Sequence, residues 1–202
     1  MKILKREDIE LYHDYKIWPS KRTISLFSEA IIESDGSHEE TGTDTFMVQR
    51  FLKNIELLES VSKKPITIIM DNCGGDIHSG MAIYDRIKLS PCYITIKVFG
   101  EASSMGSIIL QAADKRLMSQ NSIQIIHYGA FSVGGEAKSA YKFVDEFKRI
   151  DKFMEKLYME KIKKKDPLFR LGRLQRLLSH DTYLTAEKSV DLGLADGIIK
   201  EL

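Results

Sequence analysis

The segment Pro65-Ile66-Thr67-Ile68-Ile69-Met70 constrains the fold more than any other part of the chain. It is apolar, partly β-branched and too short for a helix. It runs directly into Asp71-Asn72-Cys73-Gly74-Gly75-Asp76, a glycine turn. A helical period follows over Gly80 to Leu89 and is stopped by Ser90-Pro91. Tyr93 to Phe99 then reads as a second strand, and Ser104 to Ala113 as a second helix of small and apolar residues. Arg116 to Met118 and Ser122 to Ile126 are again strand-like. Strands alternating with helices over short turns predict an α/β fold with a mostly parallel sheet buried on both faces.

The flanks are less sharply written. Periodicity is weak before Trp18-Pro19-Ser20, which reads as a turn ahead of a strand over Arg22 to Phe27. Ser34 to Gly42 reads as a polar loop. Phe46, Val48, Phe51, Leu52, Ile55 and Leu58 then fall near the 3.6 period and predict a helix. The apolar positions from Ala137 to Ile162 predict one long amphipathic helix that ends near Lys163-Lys164-Lys165-Asp166-Pro167. At 1.5 Å per residue it would run ~40 Å, so it either lies along its own sheet or projects to meet another subunit. Leu171 to Leu178 predicts a short helix, Thr185 the N-cap of a last one, and Gly193 to Ile199 a turn and strand.

The chain has 202 residues, 43% of them hydrophobic and 29% charged, which suits one globular domain over residues 1–202. A core of that size needs no disulfide or metal. Cys73 and Cys92 make neither a disulfide framework nor a zinc pattern, so no cofactor or metal is expected. Thirty basic residues against 29 acidic give a formal charge of +1, which supplies no bulk attraction to nucleic acid or anionic membrane. No apolar stretch approaches the ~18 residues of a membrane span. The start, Met1 to Asp8, turns charged too soon for a secretory signal, so the cytosol is the expected compartment.

Three places could carry chemistry. Ala102-Ser103-Ser104-Met105-Gly106 lies where a strand turns into a helix and approximates a Gly-x-Ser-x-Gly elbow. A serine exposed there would meet the free N–H groups of the helix start, which favour an oxyanion. The same serines could instead merely cap the helix. His127 closes the apolar run Ile123 to Ile126, a position from which a neutral imidazole can serve a serine as base, or in which it is a half-buried structural histidine. Gly74-Gly75 at a strand end can point N–H groups into a cavity, as an oxyanion hole requires, or form an ordinary turn. Cys73 is a further nucleophile candidate, although no low-pKa setting is legible around it. Local sequence makes Asp181 a turn residue or a helix-start charge. No Gly-Lys-Ser/Thr follows the glycines, which excludes a phosphate loop.

Taken together and in order, these segments resemble the proteolytic subunit of Clp protease, the ClpP family. The resemblance runs from about Arg22 to Leu202. It rests on Gly74-Gly75, Gly80-Met81-Ala82-Ile83-Tyr84-Asp85, Ala102 to Gly106, His127, Tyr183 to Glu187, and Gly193-Leu194-Ala195-Asp196. It implies a ClpP/crotonase-like fold of stacked αβ repeats with a protruding handle helix, Ala137 to Lys165 within residues 136–165. It implies Ser104 as nucleophile, His127 as general base and acid, and Asp181 as the carboxylate that orients His127. It also implies the N–H groups of Gly74 and Met105 as the oxyanion hole, and Gly75 beside the substrate. Members form heptameric rings stacked as a tetradecamer, fed with unfolded polypeptide by an AAA+ unfoldase. This chain departs from the family pattern at Cys73, Asp76 and Tyr128-Gly129, where the family has Pro, Ser and Gln-Pro, and Met1 to Lys21 does not match the family's axial-loop region. Divergent members of this kind occur in phages and prophages, some as capsid-maturation proteases. An inactive ring scaffold and a crotonase-fold enzyme acting on acyl-CoA are the competing readings.

Overall fold

The computed structural model describes residues 6–32, 38–130 and 132–200. An eight-stranded sheet forms its centre. Strand β1 (Ile17–Trp18) pairs antiparallel with β2 (Thr23–Phe27). Strands β2, β5 (Ile66–Asn72), β6 (Ile94–Ser103) and β7 (Lys115–Met118) then run parallel, and β10 (Gly197–Ile198) closes the edge, parallel to β7. The strands β3 (Glu29–Ile32) and β4 (His38–Thr41) form a separate antiparallel pair. The polar loop expected over Ser34 to Gly42 is therefore partly strand, and its residues 33–37 lie outside the described part. The sheet is mostly parallel, as predicted.

Burial alternates along the central strands. Ile66, Ile68 and Met70 of β5 and Ile94, Ile96 and Val98 of β6 are sealed from solvent, while the residues between them are half-buried. The two faces are thus covered unequally, which differs from the expectation of full burial on both. Helix α2 (Thr45–Val61) presents Met47, Phe51, Ile55 and Leu58 to the core at helical spacing. Its N-cap Asp44 accepts from Met47 N–H at 2.7 Å. Helix α3 (Ile77–Lys88) is capped in the same way by Asp76, which accepts from Ser79 N–H at 2.7 Å. Asp76, the charge that replaces the family's serine, is therefore a helix cap.

Strand β6 runs four residues past the predicted end at Phe99. Met70 pairs with Val98 but Asn72 pairs with Ala102, so β6 bulges between them. Gly100 takes φ +85° there, against the Asp71 side chain, whose Oδ1 accepts from Glu101 N–H at 2.9 Å. The bulge splits the strand between two partners. Thr95 to Val98 pair with β7, whereas Glu101 to Ser103 pair with β8 (Ile123–Ile126). Helix α4 follows over Met105–Leu110 and is shorter than predicted. It ends where Gln111 turns its amide onto the Ser107 and Leu194 carbonyls.

Helix α5 spans Ala137–Lys165, as predicted. Its buried residues, Ile150, Met154, Leu157, Tyr158 and Ile162, all lie from about the midpoint onward. That half packs on the chain's own core, where the Tyr158 and Ser107 hydroxyls meet at 2.9 Å. The first half buries nothing and leaves Tyr141 and Phe143 exposed. Helix α6 (Leu171–Leu178), strand β9 (Thr182–Thr185) and helix α7 (Ala186–Leu192) complete the chain, and Thr185 caps α7 as expected by accepting from Lys188 N–H. Helix α1 (Arg6–Tyr15) was not legible in the sequence because it buries no residue and so leaves no apolar stripe. Among the described residues, no helix is long and apolar enough to cross a membrane.

Candidate active site

Ser104 sits at the junction of β6 and α4 with φ 50° and ψ −117°. A non-glycine residue rarely adopts this conformation, which costs about 1–3 kcal/mol. Its side chain makes no capping hydrogen bond to the helix it precedes, so it is not the helix cap that the sequence also allowed. Its backbone remains tied to the sheet, since Ser104 N–H donates to the Ile125 carbonyl at 2.9 Å. The neighbouring Ser103 is buried and donates its hydroxyl to Glu101. Of the two serines, Ser104 is thus the strained, half-exposed one whose hydroxyl is uncommitted among the described residues.

The sheet register brings the other two groups together. Strand β8 pairs antiparallel with β9, and the last pair is Ile126 with Thr182. One further step sets His127 opposite Asp181. Their closest approach is His127 Nδ1 to Asp181 Oδ1, at 3.6 Å. This is longer than a hydrogen bond. Asp181 keeps 63% of its side chain exposed, against 24% for His127. No hydrogen bond joins Ser104 to His127.

The glycine pair packs on the serine turn. A Cβ on Gly74, at φ +102°, would lie 2.6 Å from the Ser104 Cβ and 3.2 Å from Met105 N, so only glycine permits this approach. The Gly74 N–H is not open to a ligand: it donates to Asn72 Oδ1 at 2.9 Å, and its carbonyl accepts from Thr43 N–H. Gly75, by contrast, is exposed, at φ +136°, and its N–H meets no acceptor among the described residues. Met105 N–H, at the first turn of α4, is likewise without an acceptor there.

Residues around the site bind its elements to the body. Tyr128 N–H donates to the Leu178 carbonyl at 2.7 Å, which docks the end of α6 on the residue after His127. The Tyr128 hydroxyl donates to Glu155 of α5, which also accepts from Gln175 Nε2 at 3.0 Å. Burial, then the hydrogen bond and charge of Glu155, push the Tyr128 phenol well above its ordinary range, so it stays a donor. Cys73 Sγ accepts from Ser28 Oγ at 3.2 Å and is half-buried, and neither cysteine is in a disulfide.

An elbow serine held between a paired-glycine strand end and a histidine-closing strand is the pattern whose resemblance the sequence carried. The Clp protease family profile matches residues 21–202. The chain belongs to the Clp protease family. Among curated proteins it is similar to ATP-dependent Clp protease proteolytic subunit 1 of Protochlamydia amoebophila (strain UWE25). The two are 26% identical over 186 residues, covering 90% of this chain and 87% of the relative. Among solved structures it is similar to a ClpP1 mutant from Listeria monocytogenes. That match has a TM-score of 0.75 at 23% identity and covers 91% of this chain and 94% of the other. The likeness shows the fold, which is ClpP/crotonase-like. This is a divergent Clp protease subunit, and residues 1–20 lie outside the matched span.

Sequence reasoning missed two parts of the site. It had no strand at Thr182–Thr185, although Tyr183 exposed beside Leu184 buried is a two-residue alternation. It also passed over Asn72, whose position two residues before Gly74 suits a side-chain-to-backbone turn.

Proposed function

We propose that this chain is a serine endopeptidase subunit of a single peptidase domain, and that it cleaves polypeptides through an acyl-enzyme. The observation that carries the reading is the strained, uncapped Ser104 turn beside the ladder end where His127 faces Asp181. Ser104 Oγ attacks the peptide carbonyl while His127 takes its proton. Asp181 orients the imidazole and stabilises its charged form. His127 then gives the proton to the leaving amine, and water, activated by the same histidine, releases the acid from Ser104.

The oxyanion donors we assign are the N–H groups of Met105 and Gly75, each worth about 3–4 kcal/mol in such a role. Gly74 has its N–H already engaged and serves by its missing Cβ. The unburied first half of α5, with Tyr141 and Phe143, suits packing against further copies, as in a closed chamber of stacked heptameric rings. An AAA+ unfoldase is the partner we infer from the similar ATP-dependent subunit, and the cytosol the compartment. Residues 6–15 form a helix in the part of the chain that lies outside the family match.

The slack His127–Asp181 approach favours one rival, an inactive scaffold. Intact mass after fluorophosphonate treatment separates the two. We expect one adduct on the wild type and none on Ser104→Ala. No adduct on a folded, assembled wild type would replace the peptidase reading with the scaffold.

A further inference from the structure

Residues 163–176 hold six basic side chains and one acid, in a chain with a formal net charge of +1. Lys165 is committed, with Nζ on the Val190 carbonyl at 2.6 Å and Asp191 at 3.9 Å. The arginine just before α6 and the two within it are not. Arg170, Arg173 and Arg176 are exposed, three residues apart, and line one open cavity of about 480 Å³. None of the three guanidinium groups has an ion pair or hydrogen bond among the described residues. Arg173 is held in place over the Phe169 ring, 5.0 Å from its centroid. The acid on the cavity wall, Asp166, turns its Oδ1 to Leu168 N–H at 3.1 Å.

Like charges at this helical spacing repel one another. The fold keeps three of them around one cavity, and the single carboxylate on its wall, Asp166, forms an ion pair with none of them among the described residues. Guanidinium forks match carboxylates in geometry as well as charge. The location narrows the ligand further. Helix α6 ends on the backbone of Tyr128, next to His127, and Arg176 is five residues from Asp181. Five residues of chain span at most about 17 Å. Arg176 therefore lies within about five extended residues of Asp181, with Arg173 and Arg170 one and two helical turns farther along the chain.

We propose that Arg170, Arg173 and Arg176 form a substrate-selecting site that holds acidic segments of the polypeptide being cleaved. The proposal rests on the peptidase reading for its position, but its binding test does not depend on cleavage.

The experiment uses the full-length, assembled protein and three quenched fluorescent peptides. They share one cleavable core and carry Asp-Asp-Asp, Ser-Ser-Ser or Lys-Lys-Lys three to six residues to either side. We expect kcat/KM for the Asp peptide to exceed that for the Ser peptide by about tenfold at low salt, with the Lys peptide lowest. Raising the salt should shrink the preference. In the Arg170→Gln/Arg173→Gln/Arg176→Gln variant the Asp-to-Ser ratio should fall to about one, and in the single Arg176→Glu variant it should invert. Equal rates for the Asp and Ser peptides, or a preference that survives the triple change, would overturn the site. If the wild type takes no fluorophosphonate and cleaves nothing, the peptidase reading fails, and anisotropy of a fluorescein-labelled Asp peptide then decides this one. Binding to wild type that is lost in the triple variant upholds the site. No binding, or preferential binding of a single-stranded oligonucleotide, overturns it.

Discussion

Two carboxylates in this molecule face a basic side chain across the sheet, and they are held very differently. Asp196 accepts from Arg116 N–H at 2.7 Å and from Arg116 Nε at 3.1 Å on one oxygen, and Nη2 reaches the other. The same guanidinium also donates to Gln111 Oε1 at 2.6 Å and to the Gly193 carbonyl at 3.0 Å. Asp181 meets His127 by one approach at 3.6 Å, with most of its side chain in water. The first pair joins β7 to the turn before β10, where the parallel ladder continues on both strands. The second sits one step beyond the last pair of β8 and β9, where a ladder frays. The stability pair is over-determined. The proposed catalytic pair is left loose, at a site where the imidazole must change partners during a reaction and where such bonds tighten on substrate binding.

This contrast can be broken by exchanging the effects of the two pairs. The largest effect we expect is from Asp181→Asn, which removes the charge that we propose orients and stabilises the His127 imidazolium. It should lower kcat/KM by about 10³-fold, somewhat less than for a tightly bonded triad, and leave the melting temperature within a degree or two. Peptide hydrolysis and thermal unfolding on the same preparation check it. A fall in stability with unchanged turnover would make Asp181 a structural residue. Next comes Arg116→Ala. It strands the Gln111 and Gly193 oxygens along with Asp196, and should cost about 3 kcal/mol of stability. Urea unfolding measures this, and a loss below about 1 kcal/mol would mean that the network is not what fastens β7 to the C-terminal turn.

The sequence made the two regions unequally legible, for physical reasons. The strand over Ile66–Met70, the helix over Leu171–Leu178 and the second half of α5 all follow from apolar spacing, because each buries one side against a core. Ser104 was legible from its small neighbours, since a sharp turn needs them. Asp181 was reached only through the family resemblance and not from its own surroundings, because its position comes from a β9 register that only tertiary pairing fixes, and its neighbours are polar. The same holds for the glycines. The resemblance implied the N–H of Gly74 as the oxyanion donor, with Gly75 beside the substrate, but the sequence did not show which of the two is open. That depends on the Asn72 side chain, which takes the first and leaves the second. The bulge at Gly100 was equally hidden, since it is written in the Asp71 carboxylate on a neighbouring strand.

The smallest expected effect sharpens the comparison through pH. Burial alone would raise the Asp196 carboxyl. The Arg116 hydrogen bonds, from side chain and backbone, together with the charges of Arg116 and Lys161, outweigh burial and hold it below its ordinary value. A carboxyl depressed in the folded state contributes stability above its unfolded pKa of about 3.9, and loses that contribution as pH falls through the lower folded value. Lys161 is pushed down to about 8 by burial and by Arg116, Lys88 and Lys164, so it stays protonated throughout this acid window and adds no titration to it. Asp196→Asn should therefore be less stable than the wild type near pH 6, and the gap should close below about pH 4 as the wild-type carboxylate takes its proton. Melting temperatures of both proteins from pH 7 to pH 2.5 test this. A gap that stays constant across the range would mean that Asp196 acts through shape and neutral hydrogen bonds, and that charge does not distinguish it from Asp181.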